Sequence, residues 1–141
     1  MRRCATLLVV LWALPTVGVG AAPQDNSDFV GVWRAMMDDL PAVVMTVTDE
    51  GDSLSGAILF YLIRRDEGKP PTSSPGIPEP MFNLKFNEKV LSFKVSHRRA
   101  HPGTQSDPPG TFRLRVTGPD EGVLVRREDD PDGLKMVRDK H

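Results

Sequence analysis

Cysteine is almost missing from this chain: Cys4 is the only one, and it precedes the first apolar run. A domain beyond that point has no disulfide to close it and must rely on a buried core. Histidine is nearly as scarce, limited to His97, His101 and His141. His97 and His101 straddle a strand end and a Pro-Gly turn instead of sharing a helix face, so no metal site is expected. Helical periodicity is missing too, apart from one short turn's worth in "RAMMDDLP". No G-x-S-x-G elbow or histidine-backed nucleophile can be read. "DDPDG" at Asp129–Gly133 lacks the downstream glutamate of a calcium loop and reads as a turn. The paired carboxylates lie in loops with nothing to raise a pKa. No catalytic residue and no cofactor is expected, and an enzyme is the weakest of the function classes.

The one long hydrophobic run is "ATLLVVLWALPTVGVG", placed behind Arg2 and Arg3 and ahead of the small residues Val19-Gly20-Ala21. That order is the pattern of a signal peptide over residues 1–21, so the protein is expected to be exported, to a periplasm or to the outside. The run is broken by Pro15 and is shorter than a membrane span. No second one follows, so no transmembrane segment is expected after cleavage. The remaining chain of about 120 residues suits a single domain over 29–141, preceded by a polar, flexible tail at 22–28. Losing Arg2 and Arg3 leaves 16 basic against 19 acidic residues, a net charge of −3, which argues against nucleic acid as a partner.

What the chain does have is alternation. Short runs predict strands at Val30–Met36, Ala42–Thr48, Leu54–Arg64, Met81–Phe86, Val90–His97, Thr111–Thr117, Gly122–Arg126 and Leu134–Arg138. Phe82, Leu84 and Phe86 share one predicted face; so do Leu91, Phe93 and Val95, and so do Phe112, Leu114 and Val116. The third strand, "LSGAILFYLIRR", is apolar on both faces, which suggests cover by the N-terminal tail, a second copy or another protein. The expected fold is all-β: an eight-stranded antiparallel up-and-down barrel that leaves no open edge, with a β-sandwich as the alternative.

The connections alternate in length. "DEGDS", "NEK" and "GPDE" are hairpin turns, whereas "DEGKPPTSSPGIPEP", "RRAHPGTQSDPPG" and "REDDPDG" are long. In a meander the long ones gather at one end, together with "MDDLP" after the first strand, and form an elaborated rim around a mouth. The proline-rich link is either a semi-rigid flap over that mouth or a disordered excursion.

Phe29-Val-Gly31-Val-Trp33 is an F-x-G-x-W pattern at the start of the first strand. It resembles the opening of the lipocalins and fatty-acid-binding proteins, the calycin superfamily, and a small bacterial lipocalin-like domain in particular. The resemblance implies that Trp33 plugs the closed end of the barrel and that Arg138, from the last strand, lies across its ring. It also implies a lumen that holds a small hydrophobic or fatty-acid-like ligand.

Three strands end in arginine pairs, Arg64-Arg65, Arg98-Arg99 and Arg126-Arg127, and the meander puts all of them at the long-loop end. His97 and Arg99 continue the inward phase of Leu91, Phe93 and Val95; the phase of Arg64, Arg65, Arg126 and Arg127 is open. An apolar lumen lined by Phe82, Phe86, Phe93 and Phe112 beneath guanidinium donors suits an amphipathic anion. The same arginines have carboxylates nearby, so ordinary rim ion pairs fit the sequence equally well. The expected function is a non-enzymatic, exported binding protein for such a ligand. The alternative is a protein-interaction or inhibitor-type module that uses the N-terminal tail and long loops.

Overall fold

Alternating apolar residues build the strands, and tight turns set which of them pair. The computed structural model describes residues 25–96, 108–126 and 132–140. The expected signal peptide, and His97, Arg98, Arg99 and Arg127, lie outside the described residues. The strands are β1 (Gly31–Met37), β2 (Leu40–Asp49), β3 (Leu54–Arg64), β4 (Thr72–Pro75), β5 (Glu79–Asn87), β6 (Val90–Val95), β7 (Gly110–Gly118), β8 (Glu121–Val125) and β9 (Leu134–Arg138). Eight of them close a ring, each antiparallel to its neighbours, in the order β1, β2, β3, β5, β6, β7, β8, β9 and back to β1. The fold is a closed eight-stranded antiparallel β-barrel, not a sandwich. Among the described residues no helix is long and apolar enough to cross a membrane.

β4 is the element the sequence hides. It lies in the proline-rich link and pairs with the far end of β3, Leu62 opposite Ser74 and Arg64 opposite Thr72. Proline cannot donate to a ladder, so such a segment survives only at an edge, and β4 is the end of the sheet order. The long link thus contains the four-residue second arm of a β3–β4 hairpin and is neither a free flap nor a structureless excursion. The Ser73 hydroxyl ties that arm to the Pro41 carbonyl (2.6 Å).

The β1–β2 connection also differs from expectation. Asp38 and Asp39 both have positive φ, 52° and 62°, and Met37 pairs with Leu40. That is a two-residue hairpin of the type favoured by strand twist, with aspartates tolerating the left-handed region. It remains at the end of the long connections, because the Arg65 guanidinium pairs with the Asp38 carboxylate.

Two bulges change which residues face inward. In β5 the pairing with β6 shifts between Phe82 and Lys85, where Asn83 has φ +52°. Phe82 therefore stands opposite the exposed Lys94, on the outer face, while Phe86 stands opposite the buried Leu91. The expectation that Phe82, Leu84 and Phe86 share one face fails for Phe82; Met81, Leu84 and Phe86 face the core. In β2 the register with β1 shifts at Pro41–Val43, so consecutive Ala42 and Val43 are both buried. The other phases hold: Leu91, Phe93, Val95, Phe112, Leu114 and Val116 are all buried.

The ring is uneven in its seams. β1 meets β9 through only two residue pairs, Trp33 with Arg138 and Arg34 with Val137. Above them the bulge turns the tip of β1 away, leaving Met36 and Met37 largely exposed.

Candidate functional site at the open end

The closed end comes first, since it sets how deep any cavity can reach. Phe29 and Trp33 are completely buried, and the Trp33 indole N–H donates to the Phe29 carbonyl (2.8 Å). The Arg138 guanidinium carbon lies 5.3 Å from the centroid of the Trp33 ring. Its nitrogens donate to the carbonyls of Ser27, Asp28 and Val30 (3.2, 3.3 and 3.2 Å), to the Pro119 carbonyl and to the Asp120 carboxylate (3.3 Å). One side chain thus fastens the N-terminal segment and the β7–β8 turn over the tryptophan. Gly31 makes this fit: its φ is +134°, and a Cβ there would sit 3.0 Å from Arg138 Cδ. The segment is further held by the Lys89–Asp28 ion pair. Hydrogen bonds from the Ser27 hydroxyl and the Ser27 backbone N–H keep the Asp25 carboxyl below its ordinary pKa.

Above this floor the lumen is filled by side chains. Phe86 packs on Phe29, with ring centroids 5.8 Å apart. Met45, Ile58, Leu91, Leu114 and Met136 fill the next layer and are inaccessible to solvent. Phe93 then stacks on Phe112 at 5.8 Å and 14°, and Phe112 tilts against Phe60 at 5.5 Å. The aromatic stack ends the packed core.

On top of it opens a cavity of about 450 Å³. Its apolar walls are Ala42 and Val43 from β2, Phe60 from β3, Phe112 from β7, Leu124 from β8 and Leu134 from β9. Around the mouth stand Met37, Tyr61, Ile63, Arg65 and Arg126. Phe60 and Tyr61 are adjacent in sequence yet both line it, as do Ala42 and Val43. Regular alternation would aim one of each pair outward; at Ala42-Val43 the register shift against β1 brings both in and widens the apolar wall. Part of the third strand's apolarity on both faces has a cause within the chain: Ile58 and Phe60 serve the core, and beyond them Tyr61 and Ile63 serve the mouth, while Leu62 stays exposed.

Of the residues singled out in the sequence, Arg65, Arg126 and Phe112 come together at this cavity. Arg64 is exposed and outside the lining. Phe93 lies one layer below, Phe86 belongs to the floor, and Phe82 is on the outer wall. His97, Arg99 and Arg127 fall outside the described residues. Arg126 keeps the inward phase of Leu124 and has no ionic or hydrogen-bonding partner among the described residues, whereas Arg65 is engaged by Asp38. Sequence reasoning missed Met37, Ala42, Val43, Phe60, Tyr61, Ile63, Leu124 and Leu134. Their signal was present only as doubled apolar pairs, Ala42-Val43 and Phe60-Tyr61. Among the described residues no group of three or more His, Cys, Asp or Glu side chains could hold a metal ion.

Comparison with known proteins adds no name to this geometry: no family model, no curated protein and no solved structure matches the chain.

Proposed function

We propose that the chain is an exported, lipocalin-like binding protein that takes a small amphipathic anion, such as a fatty-acid-like carboxylate, into the cup at its open end. The observation that carries this reading is the pairing of an apolar cavity of about 450 Å³ with two guanidinium groups at its mouth, one of them without a counter-charge among the described residues. The size lies in the range of small-molecule sites. Burial of the tail contributes about 0.8 kcal/mol per methylene, and a forked guanidinium orients the head group. The Phe93–Phe112 stack limits depth, so short and medium tails are favoured over long ones. The F-x-G-x-W start and the Trp33–Arg138 contact support the calycin likeness.

Native mass spectrometry of the chain without residues 1–21 tests the proposal. Retention of a carboxylate from a graded fatty-acid panel is the expected result; failure to hold any member overturns it. The filled lower lumen favours one second reading, an interaction or inhibitor-type module, in which the loops rather than the cup make the contact.

A further inference from the structure

The outer wall formed by β5, β6 and β7 carries a charge pattern that the overall acidic balance conceals. Register fixes which side chains share that wall. Lys85 stands opposite Ser92, and Ser92 opposite Arg113; Lys94 stands opposite Phe82 on one side and Thr111 on the other; Arg115 stands opposite Val90. Neighbouring strands are about 4.8 Å apart and alternate residues along a strand about 7 Å, so these cations crowd one another. Arg113 is engaged within the chain. Lys85, Lys94 and Arg115 are exposed and have no ionic or hydrogen-bonding partner among the described residues. The outward positions from Phe82 to Asn87, Val90 to Lys94 and Thr111 to Thr117 include no carboxylate; Glu88, in the β5–β6 turn, shares one surface depression with Lys85 and Arg115. Each cation stands opposite a neutral residue, so the like charges lie diagonally or two strands apart and together make a positive patch that an external anion would meet.

A second feature adjoins this wall where β4 leads into β5. Ile77, at the corner joining β4 to β5, is 76% exposed, and Leu62, whose partner Ser74 lies three residues before that corner, is 57% exposed. Phe82 extends this apolar area to the side of Lys94. Cations beside protruding apolar side chains match the two layers of a bilayer surface, anionic head groups over hydrocarbon. An acidic protein would satisfy the charges and leave Ile77 and Leu62 uncovered. A single-stranded nucleic acid would need a series of aromatic platforms, and this wall has Phe82 alone.

We infer that the β5–β7 wall docks the barrel on its flank against an anionic lipid bilayer, through Lys85, Lys94 and Arg115 with Ile77 and Phe82 at its edge. This is independent of what the cup holds, since none of these residues lines it.

The test is sedimentation with vesicles of phosphatidylcholine alone and of phosphatidylcholine with phosphatidylglycerol. It uses the chain without residues 1–21, because that apolar run would bind lipid by itself and every strand lies within residues 31–138. Binding is expected only to the anionic vesicles, and it should fade as salt shortens the screening length from about 30 Å at 0.01 M to about 3 Å at 1 M. The double variant Lys94→Gln/Arg115→Gln should lower partitioning about thirtyfold, at roughly fivefold per cation. Ile77→Ser should lower it further. Lys135→Gln, which removes a cation already paired with Glu121 on β9, should leave it unchanged. The three substituted cations, Lys94, Arg115 and Lys135, are exposed, so circular dichroism should report an intact fold. Equal binding to both vesicle types, no binding to either, or an unaffected double variant overturns the inference. So does retention on an immobilised polyanion without vesicle binding, which would assign the wall to a soluble anion.

Discussion

Arg138 lies over the ring of Trp33, 5.3 Å from its centroid, while the indole N–H beneath is taken by the Phe29 carbonyl. First and last strands are joined at this point, and the arginine's hydrogen bonds to backbone carbonyls bring two further pieces of chain, the segment before β1 and the β7–β8 turn, into the joint.

Arg138→Ala should therefore cost about 2–4 kcal/mol of stability, combining a lost cation–π contact with carbonyls left short of charged donors. Urea unfolding followed by tryptophan fluorescence measures it, since Trp33 is the only tryptophan beyond residue 21. Arg138→Lys should recover less than half, because an ammonium cannot both lie on the ring and fork toward several carbonyls.

Gly31→Ala tests the same joint from below. The residue sits at φ +134° and its new methyl would meet Arg138 Cδ. A loss of about 1–3 kcal/mol is expected from backbone strain alone. In the Arg138→Ala background the steric part should vanish and the strain should remain, so the two losses should add to less than their sum in a double-mutant cycle.

Phe112→Ala removes the ring that separates cup from core. Stability should fall by about 3–5 kcal/mol, and the preferred ligand tail should lengthen. The check is the length profile across a fatty-acid series; an unchanged profile would place the ligand elsewhere.

The two mouth arginines should behave differently. Arg126→Ala should weaken a carboxylate by about 1.5–3 kcal/mol and spare the matching alcohol. Arg65→Ala should do less, because Asp38 already competes for that guanidinium. Asp38→Asn should strengthen carboxylate binding by releasing it. Isothermal titration with acid and alcohol pairs separates these outcomes.

Much of this architecture was legible in residue order. Alternation in "LSFKV" and "TFRLRV" placed β6 and β7 in the correct phase, and short turns against long links oriented the barrel. Two kinds of feature escaped. Backbone irregularities carry little composition: Asn83 at φ +52° moves Phe82 to the outer wall, and nothing in "MFNLKF" marks the shift except the asparagine. Proline misleads in the opposite direction. "PPTSSPGIP" reads as a loop because proline is excluded from central strands, yet β4 forms there because its edge needs fewer donors. The candidate site suffered from both, since its lining depends on Ala42-Val43 and Phe60-Tyr61, where the alternation breaks. The arginines at the strand ends were visible, but which member of the Arg64-Arg65 pair enters the mouth was decided by local phase: Arg65 rather than Arg64.

The two-pair seam between β1 and β9 governs the order in which this molecule can be finished. Arg34 and its partner Asp139 are separated by 105 positions, so a polypeptide growing from its N-terminus carries an uncovered indole until Arg138 and Asp139 have been added. Closure is the most distant contact in the ladder and is expected to be among the slowest to form. Until it forms, the sheet is an unrolled ribbon with a sticky edge, and a chaperone that shields Trp33 would govern yield more than one that shields the mouth.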